Sequence, residues 1–392
     1  MALTLENLRG RIGDLDSHEA IPTPRYPEVF GEIGRRFLDE NQELWAAAKR
    51  ISQFNPTEDI TSDRVDNAQI NRENVWTLKG ALAPGAIDMD RRTAVMDEMG
   101  IDRQLIFPMM GIFAWITANG GGQNWMPKST TAQMQLGRLA IGAYNQWAGL
   151  RTKKSNRMRM VGMLLSGDPG MTPELLVKQA EEMIDAGVKA ISISSGRAPA
   201  GMSPGDVRLD SFYATLAQSK VALVFHPPSG LGFRATDVWE SALVHPRHAV
   251  VMNMHIAEEN FLGVMTLSGV FERHPELRVA FVETGADWIG PLSERMDQSA
   301  KAWIGQRKLS LLPSEYLCRN VRVSVMLHEP VEVWFERYPK IQNVYCYSSD
   351  FPHVEGGQWS LDRFYERIAP LGDDILEKFF VDNSQLVLPA GP

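Results

Sequence analysis

The chain has 392 residues, 44% of them hydrophobic, enough for one barrel with insertions or for two ordinary domains. A formal charge of -8 and the absence of any Lys/Arg-rich run exclude the electrostatic footprint of a nucleic-acid-binding protein. No apolar segment approaches membrane-spanning length, 1–13 lacks a signal-peptide pattern, and only Cys318 and Cys346 are present, so a soluble, cytoplasmic protein without a disulfide framework is expected.

The first strand is expected at 12–16, leading into Asp14-Leu15-Asp16-Ser17-His18. Residues 22–84 then break the rhythm with a charged helical stretch (32–51) and a polar, turn-rich stretch (55–74). This region is expected to be an insertion after strand one, near the barrel mouth. A helix over 91–99, stopped by Gly100, precedes a buried strand at 103–108. The stretch 109–128, with Phe113, Trp115, Trp125 and three consecutive glycines, is expected to be an irregular loop facing substrate or solvent.

From there strand and helix patterns alternate. Strands are expected at 159–165, 189–194, 221–226, 277–283, 322–327 and 344–347. The best-marked helix has Thr172 as its N-cap, Pro173 at its first position and Gly187 as its left-handed stop. Further helices are expected at 209–219 and 260–273. Eight strands in this alternation favour a (β/α)8 TIM barrel over an open sheet, and no glycine-rich phosphate loop points to the latter.

In such a barrel the strand ends meet on one rim. Asp16 and His18 stand two apart, so both can project from one face of a strand. His226 ends the run VALVFH, and Asp350 follows strand eight in Ser349-Asp350-Phe351-Pro352-His353. Singly, each has an ordinary reading: a chance pair, a satisfied core histidine, a paired acid. Jointly, at the ends of strands one, five and eight, they form a candidate site for one divalent metal.

These residues carry a family resemblance. The motif Asp14 to His18, the approach RRTAVMDEMGIDRQLIFP (91–108), the segment SGVFERHPEL (268–277) and Ser349 to His353 resemble the amidohydrolase-related proteins grouped with aminocarboxymuconate-semialdehyde decarboxylase. The resemblance spans nearly the whole chain after Gly13. It implies a metal site of Asp16, His18, His226 and Asp350, with zinc expected and manganese the alternative, because Asp16 replaces a strand-one histidine and hardens the donor set. It also implies a metal-dependent hydrolase or non-oxidative decarboxylase of a small, carboxylate-bearing substrate, working as a homodimer or larger, and the loop aromatics Trp115 and Trp125 suit a planar or aromatic acid. Asp350, Glu283 and His353 are the expected catalytic groups.

Glu283 stands where many relatives carry a histidine; its bland reading is a salt bridge to Arg295. Asp14 is expected to tie the first strand to its neighbours, and Arg197 and Arg234 are candidate partners of a substrate carboxylate. His255 and His328 are secondary pocket candidates, whereas His245, His248 and His274 fit ordinary loop positions. The rival readings are a barrel that has lost catalysis and serves as a binding protein, and a metal-free enzyme using Glu283 and His226 as acid and base.

Overall fold

The computed structural model describes residues 2–52, 59–122, 126–227, 254–305 and 308–390. Eight strands run in chain order around one sheet: β1 Ile12–Asp14, β2 Ile101–Ile106, β3 Met158–Met163, β4 Ala190–Ser192, β5 Ala222–Phe225, β6 Val279–Phe281, β7 Val321–Ser324 and β8 Tyr345–Cys346. Each pairs with the next in parallel. β8 returns to the β1 side through single hydrogen bonds rather than a ladder. The Leu15 N–H donates to the Tyr347 carbonyl (3.1 Å), that of Asp350 to the Asp16 carbonyl (2.9 Å), and that of His18 to the Phe351 carbonyl (2.6 Å). The chain is therefore a (β/α)8 barrel, and its seam runs through the very segments that hold Asp16, His18 and Asp350.

The strands read as unbroken apolar runs because both faces are covered. Inward side chains such as Leu105, Val161, Ala222, Val224, Ala280 and Val282 fill the barrel, with Val387 and Leu388 of the C-terminal segment packed among them. The outward faces pack on the helices in a second, larger core. The barrel lumen is thus solid, which leaves the rim as the place for chemistry.

The strands are shorter than the sequence suggests. β1 ends at Asp14, so Asp16 and His18 lie past it; Ser17 and His18 continue the run through isolated bridges to Phe351 and Phe107. His226 sits one residue beyond β5, and Glu283 two beyond β6. The helix Pro173–Ala186 has the expected ends: Thr172 Oγ1 accepts from the Leu175 N–H, and Gly187 turns at φ 113°. The helical region expected at 260–273 is two helices, Ile256–Leu267 and Val270–Arg273, divided at Gly269 with φ 74°.

One expectation is overturned. The stretch after β2 contains a helix, Met110–Ala118, buried along nearly its whole length. Apolar residues surround it on every side, so no amphipathic period marks it in the sequence. It packs against the long helix Thr131–Lys154. Among the described residues four α-helices lie between β1 and β2: Arg92–Met99 directly before β2 and, ahead of it, Tyr26–Glu40, Gln42–Ser52 and Arg72–Thr77. The stretch after Arg72–Thr77 meets the rim where the Gly80 N–H donates to the Pro352 carbonyl (2.8 Å).

Candidate metal centre

Four strand ends, those of β1, β5, β6 and β8, bring six side chains of metal-ligating type together. His18 Nε2 lies 3.3 Å from Asp16 Oδ1, 3.3 Å from Asp350 Oδ1 and 3.5 Å from Glu283 Oε2. His226 Nε2 is 2.8 Å from Glu283 Oε2 and 4.0 Å from Asp16 Oδ1. His353 Nδ1 stands 3.1 Å from Asp350 Oδ1, and its ring stacks on His18 at 3.8 Å. Two overlapping donor groups result: Asp16, His18, His226 and Glu283, and then His18, Glu283, Asp350 and His353. Within each, the ligand atoms lie within 4.8 Å of one another.

A metal fits these residues on two observations. Asp16 Oδ1, both ring nitrogens of His18, His226 Nε2, both oxygens of Asp350 and His353 Nδ1 are buried without an aligned hydrogen-bond partner. Buried polar atoms are normally satisfied, so this concentration of unpaired donor atoms is what a bound cation would satisfy. The histidine tautomer agrees. His226 Nδ1 is 2.5 Å from the Pro227 carbonyl, which only accepts, so Nδ1 carries the hydrogen and Nε2 keeps its lone pair.

The electrostatics point the same way. Burial holds the Asp16 carboxyl well above the usual carboxylate range. Burial alone would depress the His18 imidazole, but the carboxylates of Asp16, Asp350 and Glu283 hold it well above its ordinary value. Burial pulls His226 down. Burial would raise Glu283, yet the His226 and His18 rings take it well below the usual range. Three carboxylates in one buried cluster compete for protons, which a divalent cation would displace.

The backbone is bent to present the acids. Glu283 (φ 57°) and Asp350 (φ 49°) both adopt the left-handed region, disfavoured for residues with a Cβ. Nearby hydrogen bonds hold both turns. The Glu283 N–H donates to Ser324 Oγ (2.9 Å), and the His353 N–H to the Asp350 carbonyl (2.7 Å). Asp14 lies beneath the cluster. It accepts from Gln104 Nε2 (2.8 Å) on β2 and from the Ser349 Oγ (2.6 Å) and N–H (2.8 Å) after β8, so it ties the first strand to both neighbours. Burial pushes its carboxyl up to about 6.

Other expected residues fall elsewhere. Glu283 does not pair with Arg295, which pairs with Glu259. His255 stacks on Trp288 and faces Glu259, and His328 is exposed. His274 pairs with Asp210 (3.1 Å). Arg197 reaches the Asn119 carbonyl at 3.4 Å. Arg234, His245, His248 and Trp125 lie outside the described residues.

Three residues with a hand in the site carry no sequence signal strong enough to single them out. Arg92 is buried, donates to the His18 carbonyl and lies 4.7 Å from the Phe351 ring. Glu19 accepts from the N–H groups of Ile21 (2.8 Å) and Met109 (2.5 Å), pinning the start of the Met110–Ala118 helix to the rim. Lys79 is 9% exposed beside the Pro352 turn. Only Glu19, next to His18 in the motif, offered a clue.

Beside the cluster lies a small apolar pocket of about 10 Å³, lined among the described residues by Phe107, Ile112, Trp115, Met163, Ile193 and His226 among others. Phe107 stacks on His226 at 4.2 Å, forming the wall between cavity and cluster.

No curated protein sequence matches the chain. Among solved structures, an amidohydrolase from Mycobacterium avium subsp. paratuberculosis is similar with a TM-score of 0.64 and 18% identity, covering 96% of this chain and 99% of that one. A 5-carboxyvanillate decarboxylase from Novosphingobium aromaticivorans, solved with manganese and 4-hydroxy-3-methoxy-5-nitrobenzoic acid, gives 0.57 and 16% over 96% and 95%. A dihydroxybenzoic acid decarboxylase from Polaromonas sp., with manganese and 2-nitroresorcinol, gives 0.54 and 15% over 96% of each chain. At these identities the likeness establishes the fold. The model of the family described as amidohydrolase matches residues 129–389, a span that holds His226, Glu283, Asp350 and His353, and on that match the chain belongs to the amidohydrolase family.

Proposed function

We propose that the chain is a metal-dependent, non-oxidative decarboxylase of a small aromatic carboxylic acid. The observation that carries this reading is the buried donor cluster with the apolar, aromatic wall of Phe107 and Trp115 set beside it. Hydrolysis of a polar amide or ester would call for polar groups along the substrate's body, whereas this wall suits a flat apolar ring. The decarboxylases among the structural neighbours support the same chemistry.

Asp16, His18, His226 and Asp350 would hold one divalent ion, with Glu283 close enough to His18 and His226 to take a ligand's place. When bound, the ion supplies Lewis acidity to grip an anionic oxygen and balance the carboxylate cluster. The neighbours with bound manganese favour manganese over the zinc expected from residue types alone. Phe107 and Trp115 orient the ring against the cluster. The ring carbon that bears the carboxyl must gain one proton as its bond to carbon dioxide breaks. His353 is suited to deliver it: burial and the neighbouring His18 lower its affinity for protons, but the Asp350 carboxylate at 3.1 Å more than offsets both. Asp350 and Glu283 keep the histidines oriented between turnovers. The family resemblance also supports a homo-oligomer, which sedimentation would read.

The test is incubation of manganese-loaded and zinc-loaded protein with hydroxybenzoates in deuterated water. Release of carbon dioxide together with one deuteron on the former carboxyl carbon supports the reading. Hydrolysis of an amide or lactone panel without any decarboxylation would replace it with the hydrolase.

A further inference from the structure

Glu283 owes its place in the cluster to a turn that another strand's residues hold. It stands two residues beyond β6 with φ 57°, in the left-handed region. The turn is fixed at both ends from the β7 side. At its start the Glu283 N–H donates to Oγ of Ser324, the last residue of β7 (2.9 Å). At its end the Ala286 N–H donates to Oε1 of Glu329 (2.8 Å). Between them Gly285, at φ 73°, runs so close that a Cβ on it would lie 3.2 Å from the same Glu329 oxygen.

Glu329 is buried in the loop after β7, and it holds that loop as well: its Oε2 accepts from the Met326 N–H (2.7 Å). The outer layer anchors the loop in turn. Arg367, on the helix Ser360–Ile368, donates to the Leu327 carbonyl (2.8 Å) and to that of Glu329, and pairs with Glu332. A buried carboxylate is costly unless its oxygens are satisfied, and here each oxygen receives a backbone N–H from a different rim loop. Neither oxygen belongs to the donor groups of the cluster. What the carboxylate fixes is the spacing of the two loops. With it goes the position of Glu283 Oε2, 2.8 Å from His226 and 3.5 Å from His18.

We infer that Glu329 is a positioning residue of the metal centre: by bridging the loops after β6 and β7 it holds the left-handed turn that aims Glu283 at His18 and His226. This rests on the metal-site reading above and adds to that site a buried acid that hydrogen-bonds none of its donor side chains. Glu329 acts on the turn, the turn on Glu283, and Glu283 on the metal. Loss of the bridge is therefore felt at the metal only while Glu283 is there to be displaced.

The test is a double-mutant cycle on the full chain. Manganese affinity is measured by titration calorimetry on metal-stripped wild type, Glu329→Gln, Glu283→Gln and the double variant, with the Tm of each metal-free protein recorded. Glutamine offers one acceptor oxygen where the carboxylate offers two, so one loop loses its hold without a change in volume. Glu332→Gln is the control, because it disturbs Arg367 but leaves both N–H contacts of Glu329 in place. The expected result is a loss of roughly 10–100-fold in Glu329→Gln, the usual range for an outer support of a metal ligand. The double variant should bind within a few-fold of Glu283→Gln alone, and Glu332→Gln should match wild type. Should Glu329→Gln not fold, Glu329→Asp, which keeps both oxygens but shortens their reach, goes through the same cycle with the same expectation. Equal affinity in wild type and the Glu329 variant overturns this inference and leaves the metal-site reading standing. Losses that multiply in the double variant also overturn it, since Glu329 then acts by a path other than Glu283. A loss that Glu332→Gln reproduces, or that tracks a fall in the metal-free Tm, assigns Glu329 to folding of the rim and overturns it too. No manganese binding by wild type overturns the metal-site reading and this inference together.

Discussion

Arg92 shows how a single side chain can shape a metal site without touching the metal. It is wholly buried, its Nη2 donates to the His18 carbonyl, and its guanidinium lies over the Phe351 ring, so it grips the first and last strand segments at once. Removing it would let the His18 ring drift relative to Asp350. Arg92→Met should therefore weaken manganese binding by roughly 10–100-fold, the usual cost of losing an outer support, as read by metal titration. A metal affinity equal to wild type would remove Arg92 from the site. Gly356 acts by absence: a Cβ there would lie 2.3 Å from the Ser349 carbonyl oxygen and 3.0 Å from the Asp350 Cβ. Gly356→Ala should cost about 1–3 kcal/mol in chemical denaturation and lower metal occupancy as well, because the displaced turn carries Asp350. Metal occupancy unchanged in a destabilised Gly356→Ala would confine that glycine to a folding role.

At the scale of the element, the chain's local grammar and its tertiary burial speak to different degrees. The helix Pro173–Ala186 announces itself through Thr172, Pro173 and Gly187, and its cap forms as those residues dictate. Thr172→Ala should cost about 1 kcal/mol of unfolding free energy and leave manganese binding untouched, since the helix lies on the outer layer. The helix Met110–Ala118 announces nothing, because being buried on every side erases the polar face that would give it a period. Its Trp115 is 3% exposed and walls the cavity, so Trp115→Ala should raise KM for ring substrates by more than it lowers kcat. The strand ends were legible as chemistry because acids and histidines seldom close apolar runs. Arg92 and Lys79 were not, because what sets them apart is burial, which a lone basic residue in a polar stretch does not signal. The mutual placement of Glu283 and His226 depends on the left-handed turn at Glu283, which its residue type does not foretell.

For the molecule as a whole, closing the barrel and building the site are one event. The hydrogen bonds that join β8 to β1 run between Asp16 and Asp350 and between His18 and Phe351, so the seam forms only when the donor cluster does. Metal binding should then stabilise the global fold, by about 2.7 kcal/mol at a hundredfold excess over Kd, and chelation should lower Tm. Stability should also depend on Glu329, buried where the Ala286 (2.8 Å) and Met326 (2.7 Å) N–H groups donate to it, with burial raising its pKa to about 7. A carboxyl raised on folding takes up protons as the chain folds, so its contribution is complete below the unfolded value near 4.5 and is lost as pH rises through about 7. Glu329→Gln should flatten the fall in unfolding free energy between those pH values, and an unchanged slope would assign that fall to other groups.

The most direct test of the central claim is elemental analysis of the full chain purified without added metal, alongside the variant with both His18→Ala and His226→Ala. A barrel closed around a metal site predicts close to one manganese or zinc per chain in the wild type, none in the variant, and a Tm that falls on chelation only in the wild type. A wild type without stoichiometric metal, whose Tm ignores both added manganese and chelator, would contradict it.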